Sequence, residues 1–138
     1  MIPKIKSGQD TDLWIRIGLI YPVVFSWKIL ARYVYDPESL SKNKKLIHEK
    51  MDFSKYEKIE NANLDLKKFL DLNRFSLAVK SKIAGEKALF TNYSQPIDLK
   101  NLGLKKQILL RLPAFALIFL IKTKTVLANL GLGSSVFK

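Results

Sequence analysis

Asp10 and Asp12 stand two residues apart at the head of a segment with helical spacing, and Trp14 follows one turn after Asp10. A carboxylate held in place there can take a proton from a hydroxyl. The same two acids also suit a purely structural role, because backbone N–H groups and the helix dipole favour negative charge in a first turn. Trp14 can either stack on a sugar or fill a core. Asp36 precedes Pro37, where an Asp forms turns readily or offers an oxygen ligand. His48 is the single histidine and sits among Lys44, Lys45 and Lys50, so neither a histidine triad nor a multi-histidine metal site can be assembled. Without cysteine, disulfides, thiolate zinc sites and cysteine nucleophiles are excluded as well. Gly131-Leu132-Gly133 lacks the preceding strand and further glycine of a dinucleotide fingerprint.

The elements that must position these residues fall into three zones. In the first, to about Ser41, Thr11 or Asp10 can cap a helix that places Leu13, Trp14, Ile17, Leu19 and Ile20 mostly on one face, ended by Tyr21-Pro22. Val23 to Ser26 and Ile29 to Tyr35 have the β-branched and aromatic composition of strands, with a turn at Asp36-Pro37-Glu38-Ser39. The second zone, to Gly85, is charged and helical, with a broad apolar stripe of Leu64, Leu66, Phe69, Leu70, Leu72, Phe75, Leu77, Ala78 and Ile83. Gly85 is the expected stop of that helix. In the third, Pro113 sits where a final helix running to about Leu130 can begin.

Charge and hydropathy narrow the partners. At 138 residues and 48% hydrophobic content the chain has the size of one ordinary domain. Its 24 Lys and Arg against 12 Asp and Glu give a field that attracts phosphates. Ile108 to Ile121 contains Arg111 as its only charge, yet it is shorter than the ~20 apolar residues of a spanning helix. Such a segment suits a membrane interface or a core. From Asn101 onward the chain carries Lys105, Lys106, Arg111, Lys122, Lys124 and Lys138 and no acid, so this end is drawn to anionic lipid. Residues 1–8 hold no apolar run for a signal peptide, and export by that route is not expected.

The string Ser7-Gly8-Gln9-Asp10-Thr11-Asp12-Leu13-Trp14-Ile15-Arg16-Ile17, followed by Tyr21-Pro22-Val23-Val24-Phe25-Ser26, resembles the Glu-Asp region of family 2 glycosyltransferases. The likeness continues through Leu30-Ala31-Arg32-Tyr33 to Ser39-Leu40-Ser41. Beyond it only the basic, helical character matches. The resemblance implies an inverting enzyme of the GT-A fold in which Asp10 is the catalytic base, with Gln9 and Trp14 on the acceptor side. Gln9 stands where the family has Glu. Asp36 stands where many relatives place a His near the metal or diphosphate, and Ser39 falls in the loop beside the donor diphosphate.

The family's N-terminal half, with its strand-borne Asp-x-Asp and divalent Mg or Mn, has no counterpart, since Asp10-Thr11-Asp12 opens a helix. The expected architecture is α+β and mostly helical: a two-strand remnant of a GT-A sheet in residues 1–41, then a basic helical extension in 42–138. The chain is expected to be a glycosyltransferase fragment, inactive alone and holding no cofactor itself. The complete enzyme would use a nucleotide-sugar donor and an acceptor glycan in polysaccharide or glycolipid synthesis. It is expected in the cytoplasm, peripheral on the inner membrane face, with nucleic acid not among its partners. The alternative is a non-catalytic basic module that binds anionic membrane or a partner protein.

Overall fold

The computed structural model of the protein describes residues 9–24, 26–31 and 52–129. The chain divides into two compact units, Met1–Leu66 and Lys67–Lys138. Every regular element among the described residues is helical.

In the first unit, α1 spans Gln9–Ile20, a 3₁₀ turn spans Ser54–Tyr56, and α2 spans Glu57–Glu60. Because α1 is already helical at Gln9, Asp10 and Thr11 belong to its first turn instead of capping it. The Tyr21 N–H donates to the Ile17 carbonyl at 2.8 Å, and Pro22, with no N–H to give, stops the helix. The apolar face expected from spacing is not the one that is buried. Ile15 is the buried residue of α1, while Leu13, Trp14, Leu19 and Ile20 remain exposed. Ile15 lies almost one turn after Asp12, whose anchoring contacts select that side.

The α+β expectation is corrected here. No strand forms at Val23, Val24 or Ser26, nor at Ile29 and Leu30. Val24, Trp27 and Ile29 are 90%, 91% and 95% exposed. Ala31 is not in a strand either, and Phe25, residues 32–35 of the second expected strand and the Asp36-Pro37 turn lie outside the described residues. The physical reason is that β-branched and aromatic composition marks a chain that fits a sheet, whereas a strand exists only against a ladder partner. Among the described residues no other strand supplies one.

The helix α3, Leu64–Ala84, starts just before the division between the units and carries most of the second one. It is N-capped by Asn63, whose Oδ1 accepts the Leu66 N–H at 3.0 Å. At its other end Gly85 adopts φ 82°, the left-handed conformation that costs a Cβ-free residue little. There the Glu86 N–H donates to the Ser81 carbonyl at 3.0 Å and the Gly85 N–H to the Lys82 carbonyl at 3.2 Å, the paired closure of a Schellman motif. Next come α4, Lys87–Ser94, a 3₁₀ turn at Leu99–Asn101, α5, Leu104–Arg111, and α6, Ala114–Asn129.

The core of this unit gathers Ala78, Tyr93, Ile97, Leu102 and Leu110, with Leu72, Phe75, Leu77, Leu89 and Phe90 packed against them. The buried stripe of α3 is less apolar than its sequence suggests. It includes Asp71, Arg74 and Ser81, whereas Leu64 and Phe69 point to solvent.

Those buried polar groups tie α3 to the segments flanking α5. The fully buried Asp71 carboxylate accepts from Lys67 Nζ at 2.6 Å and Arg74 Nη1 at 3.4 Å on its own helix. It also accepts from the Asp98 N–H at 3.2 Å and Asn101 Nδ2 at 2.8 Å in the loop before α5. Lys67 reaches the Pro96 carbonyl at 2.7 Å as well. Towards the end of α3, Lys82 Nζ donates to the carbonyls of Leu110 and Leu112, the latter at 3.0 Å, and lies 4.2 Å from the Phe90 ring centre. A cation is favoured at this helix C-terminus, where carbonyls lack intrahelical donors. Burial pushes the Lys82 ammonium pKa down. Gln107 Nε2 completes the lattice by donating to the Leu99 and Leu102 carbonyls at 2.9 Å and 2.8 Å.

Removing one member of a buried ion pair costs about 3–5 kcal/mol, because the remaining charges are left desolvated. Asp71→Ala should lower the unfolding free energy in urea by that amount, and half-buried Asn73→Ala by under about 1 kcal/mol. Equal losses would remove Asp71 from its central place.

Candidate functional site

The candidate residues sit on the first two turns of α1. Gln9 and Asp10 are exposed at its N-terminal end, and the Asp10 Oδ1 accepts the N–H of Thr11 at 2.9 Å. Trp14, four residues after Asp10, is 65% exposed. Residues four apart lie on one face of a helix, so Asp10 and Trp14 present a carboxylate and an indole side by side. Of the two roles open to Trp14, the core role is the one the structure removes. Asp36 and Ser39 lie outside the described residues, so no donor-side geometry is assigned to them.

Asp12 separates from Asp10 in function despite their spacing. Its Oδ1 accepts from Tyr56 Oη at 2.6 Å and pairs with Lys55 Nζ, while its Oδ2 lies 3.3 Å from Arg16 Nε. Lys55 also lies 5.1 Å from the Tyr56 ring centre. The Asp12 carboxylate is thus committed, and it anchors α1 to the Ser54–Tyr56 turn. Tyr56 and Lys55 lie more than forty residues downstream, without a motif to signal the pairing.

The electrostatics follow the geometry. The Lys55 hydrogen bond, then that from Tyr56, holds the Asp12 carboxyl below its ordinary pKa of 3.8. In return, burial and then the Asp12 carboxylate push the Tyr56 hydroxyl well above the usual phenol range. Tyr56 therefore remains a donor through the physiological range.

What this surface can do is limited and specific. An exposed carboxylate beside an exposed aromatic ring can accept a proton from a hydroxyl while the ring covers an apolar sugar face. Among the described residues no group of three or more His, Cys, Asp or Glu converges on a metal position. No family model, no curated protein and no solved structure matches the chain.

The anchor around Asp12 predicts an acid-side instability of definite sign. A carboxyl whose folded pKa is depressed contributes stability above its unfolded value, and this is lost as pH falls through the folded pKa. Asp12→Asn should reduce stability near neutral pH and flatten the loss below about pH 4. Thermal unfolding across that range checks it, and an unchanged acid slope in the variant would remove the anchor from the account.

Proposed function

We propose that this chain contributes the acceptor side of an inverting glycosyltransferase, with Asp10 as general base and Trp14 as the platform for the acceptor sugar. The observation that carries the reading is the division of labour on α1. Asp12 is held by Tyr56, Lys55 and Arg16, while Asp10 and Trp14 share an exposed face. The resemblance of Gly8 to Trp14 to the family 2 glycosyltransferases gives that face its chemical meaning.

In the proposed reaction the Asp10 carboxylate takes the proton of an acceptor hydroxyl as its oxygen attacks the anomeric carbon of a nucleotide-diphosphate sugar. The new glycosidic bond forms on one face while the bond to the diphosphate breaks on the other. The diphosphate leaves with the bonding electron pair, and the anomeric configuration inverts. The Thr11 N–H donates to the Asp10 carboxylate and fixes it, so the base acts by placement. Gln9, in place of the family's Glu, donates and accepts hydrogen bonds toward the acceptor without adding a second charge.

The donor site belongs to residues outside this chain, and the divalent Mg or Mn of the complete enzyme is assigned to that half. No step here runs through the ion. The site is placed on the cytoplasmic side, where nucleotide sugars are made, with a growing polysaccharide or glycolipid as acceptor.

The test joins this chain to the donor-binding half and follows sugar transfer. Asp10→Asn should lower kcat by roughly 10²–10⁴-fold, the usual worth of a positioned base. Trp14→Ala should raise the acceptor KM, with Trp14→Phe restoring most of it. Near-normal transfer by Asp10→Asn would overturn the assignment.

A further inference from the structure

The α5–α6 elbow has more exposed apolar surface than its unit needs. Leu112 is extended, with φ −61° and ψ 144°, as the residue before a proline prefers, and Pro113 redirects the chain into α6. Leu117 is buried, but Phe115 and Phe119 are 75% and 68% exposed, and Leu120, Ile121 and Val126 are exposed with them. An open groove of about 640 Å³ is lined by Leu112, Phe115, Ala116, Phe119 and Leu120. The exposed Thr123 hydroxyl donates to the Phe119 carbonyl one turn back at 3.0 Å.

Cations frame this surface at both ends. Arg111 closes α5, and Lys122 and Lys124 follow the apolar run on α6. Lys105 and Lys106 add to the charge, and no acid occurs after Asp98. No helix among the described residues is long and apolar enough to cross a membrane. At 16 residues α6 measures about 24 Å, against the ~30 Å of a hydrocarbon core. With charges at either end of a short apolar run, both ends return to the same polar layer.

We propose that the α5–α6 elbow is a monotopic membrane foot that lies in the surface of an anionic bilayer. Phe115, Phe119 and Leu120 enter the acyl layer, and Arg111, Lys122 and Lys124 meet lipid phosphates at headgroup level. Charge complementarity selects this occupant. A second copy on the same face would bring its cations against those of the first, which a symmetric contact cannot avoid. A nucleic acid would satisfy the lysines and leave the Phe and Leu surface in water. An anionic bilayer serves both at once. The foot is independent of the glycosyl-transfer reading, and its test involves no sugar chemistry.

Vesicle sedimentation of the full chain tests it, comparing phosphatidylcholine with mixed phosphatidylcholine–phosphatidylglycerol. The chain should bind the mixed vesicles and not the neutral ones. Lys122→Gln with Lys124→Gln should weaken partitioning by roughly 30-fold, and Phe115→Asp with Phe119→Asp should abolish it. Those four side chains are exposed, so circular dichroism should show an unchanged fold.

Because the chain has no cysteine, a Phe119→Cys variant accepts a single environment-sensitive dye. Its emission should shift blue on adding mixed vesicles. Sedimentation without that shift, binding that survives the double Asp substitution, or a dimer in solution dissolved by it, would each overturn the proposal.

Discussion

A single buried carboxylate organises the second unit. Asp71 has no solvent of its own, so its charge must be met by protein donors, and those donors come from two places at once. Lys67 and Arg74 lie on the same helix, while the Asp98 N–H and Asn101 amide lie in the loop before α5. Folding α3 without that loop would strand the charge, and folding the loop elsewhere would leave its donors without this acceptor. Lys82 repeats the logic at the far end of α3, where the Leu110 and Leu112 carbonyls wait for a cation. The apolar cluster around Ala78 and Leu110 is bracketed by these polar ties. Hydrophobic burial makes the unit compact, and the ties fix which compact arrangement it takes.

How much of this could be read in the residues depends on the range of the interaction. Only part of the buried stripe of α3, Leu66, Leu70 and Ala78 among it, follows from local spacing, while its end follows from Gly85 and the start of α6 from Pro113, because each signal acts within a few residues. The role of Asp71 could not be read that way. Its loop partners lie 27 and 30 residues downstream, and nothing near Asp71 distinguishes it from an ordinary solvated acid.

The expected strands failed for a related reason. Val23, Val24 and Ile29 have the shape of strand residues, but shape is a property of the residue and pairing is a property of two segments. The candidate site shows the same limit on a smaller scale. Asp10, Asp12 and Trp14 could be picked out from spacing, yet spacing alone treats the two acids alike. Tyr56 and Lys55 separate them by taking one and leaving the other. One acid therefore gives up its reactivity to hold the helix, and its neighbour keeps an exposed carboxylate on a fixed support.

The bend at Pro113 decides more than the direction of α6. Residues 104–129 drawn as one uninterrupted helix would measure about 39 Å, longer than the hydrocarbon layer of a bilayer. Proline withholds an N–H at the joint, and Lys82 occupies the Leu112 carbonyl beside it, so the two helices cannot fuse. One imino acid and one distant ammonium thereby set the length of each helix at this end of the chain. They divide what could have been one long rod into two short ones joined at an elbow.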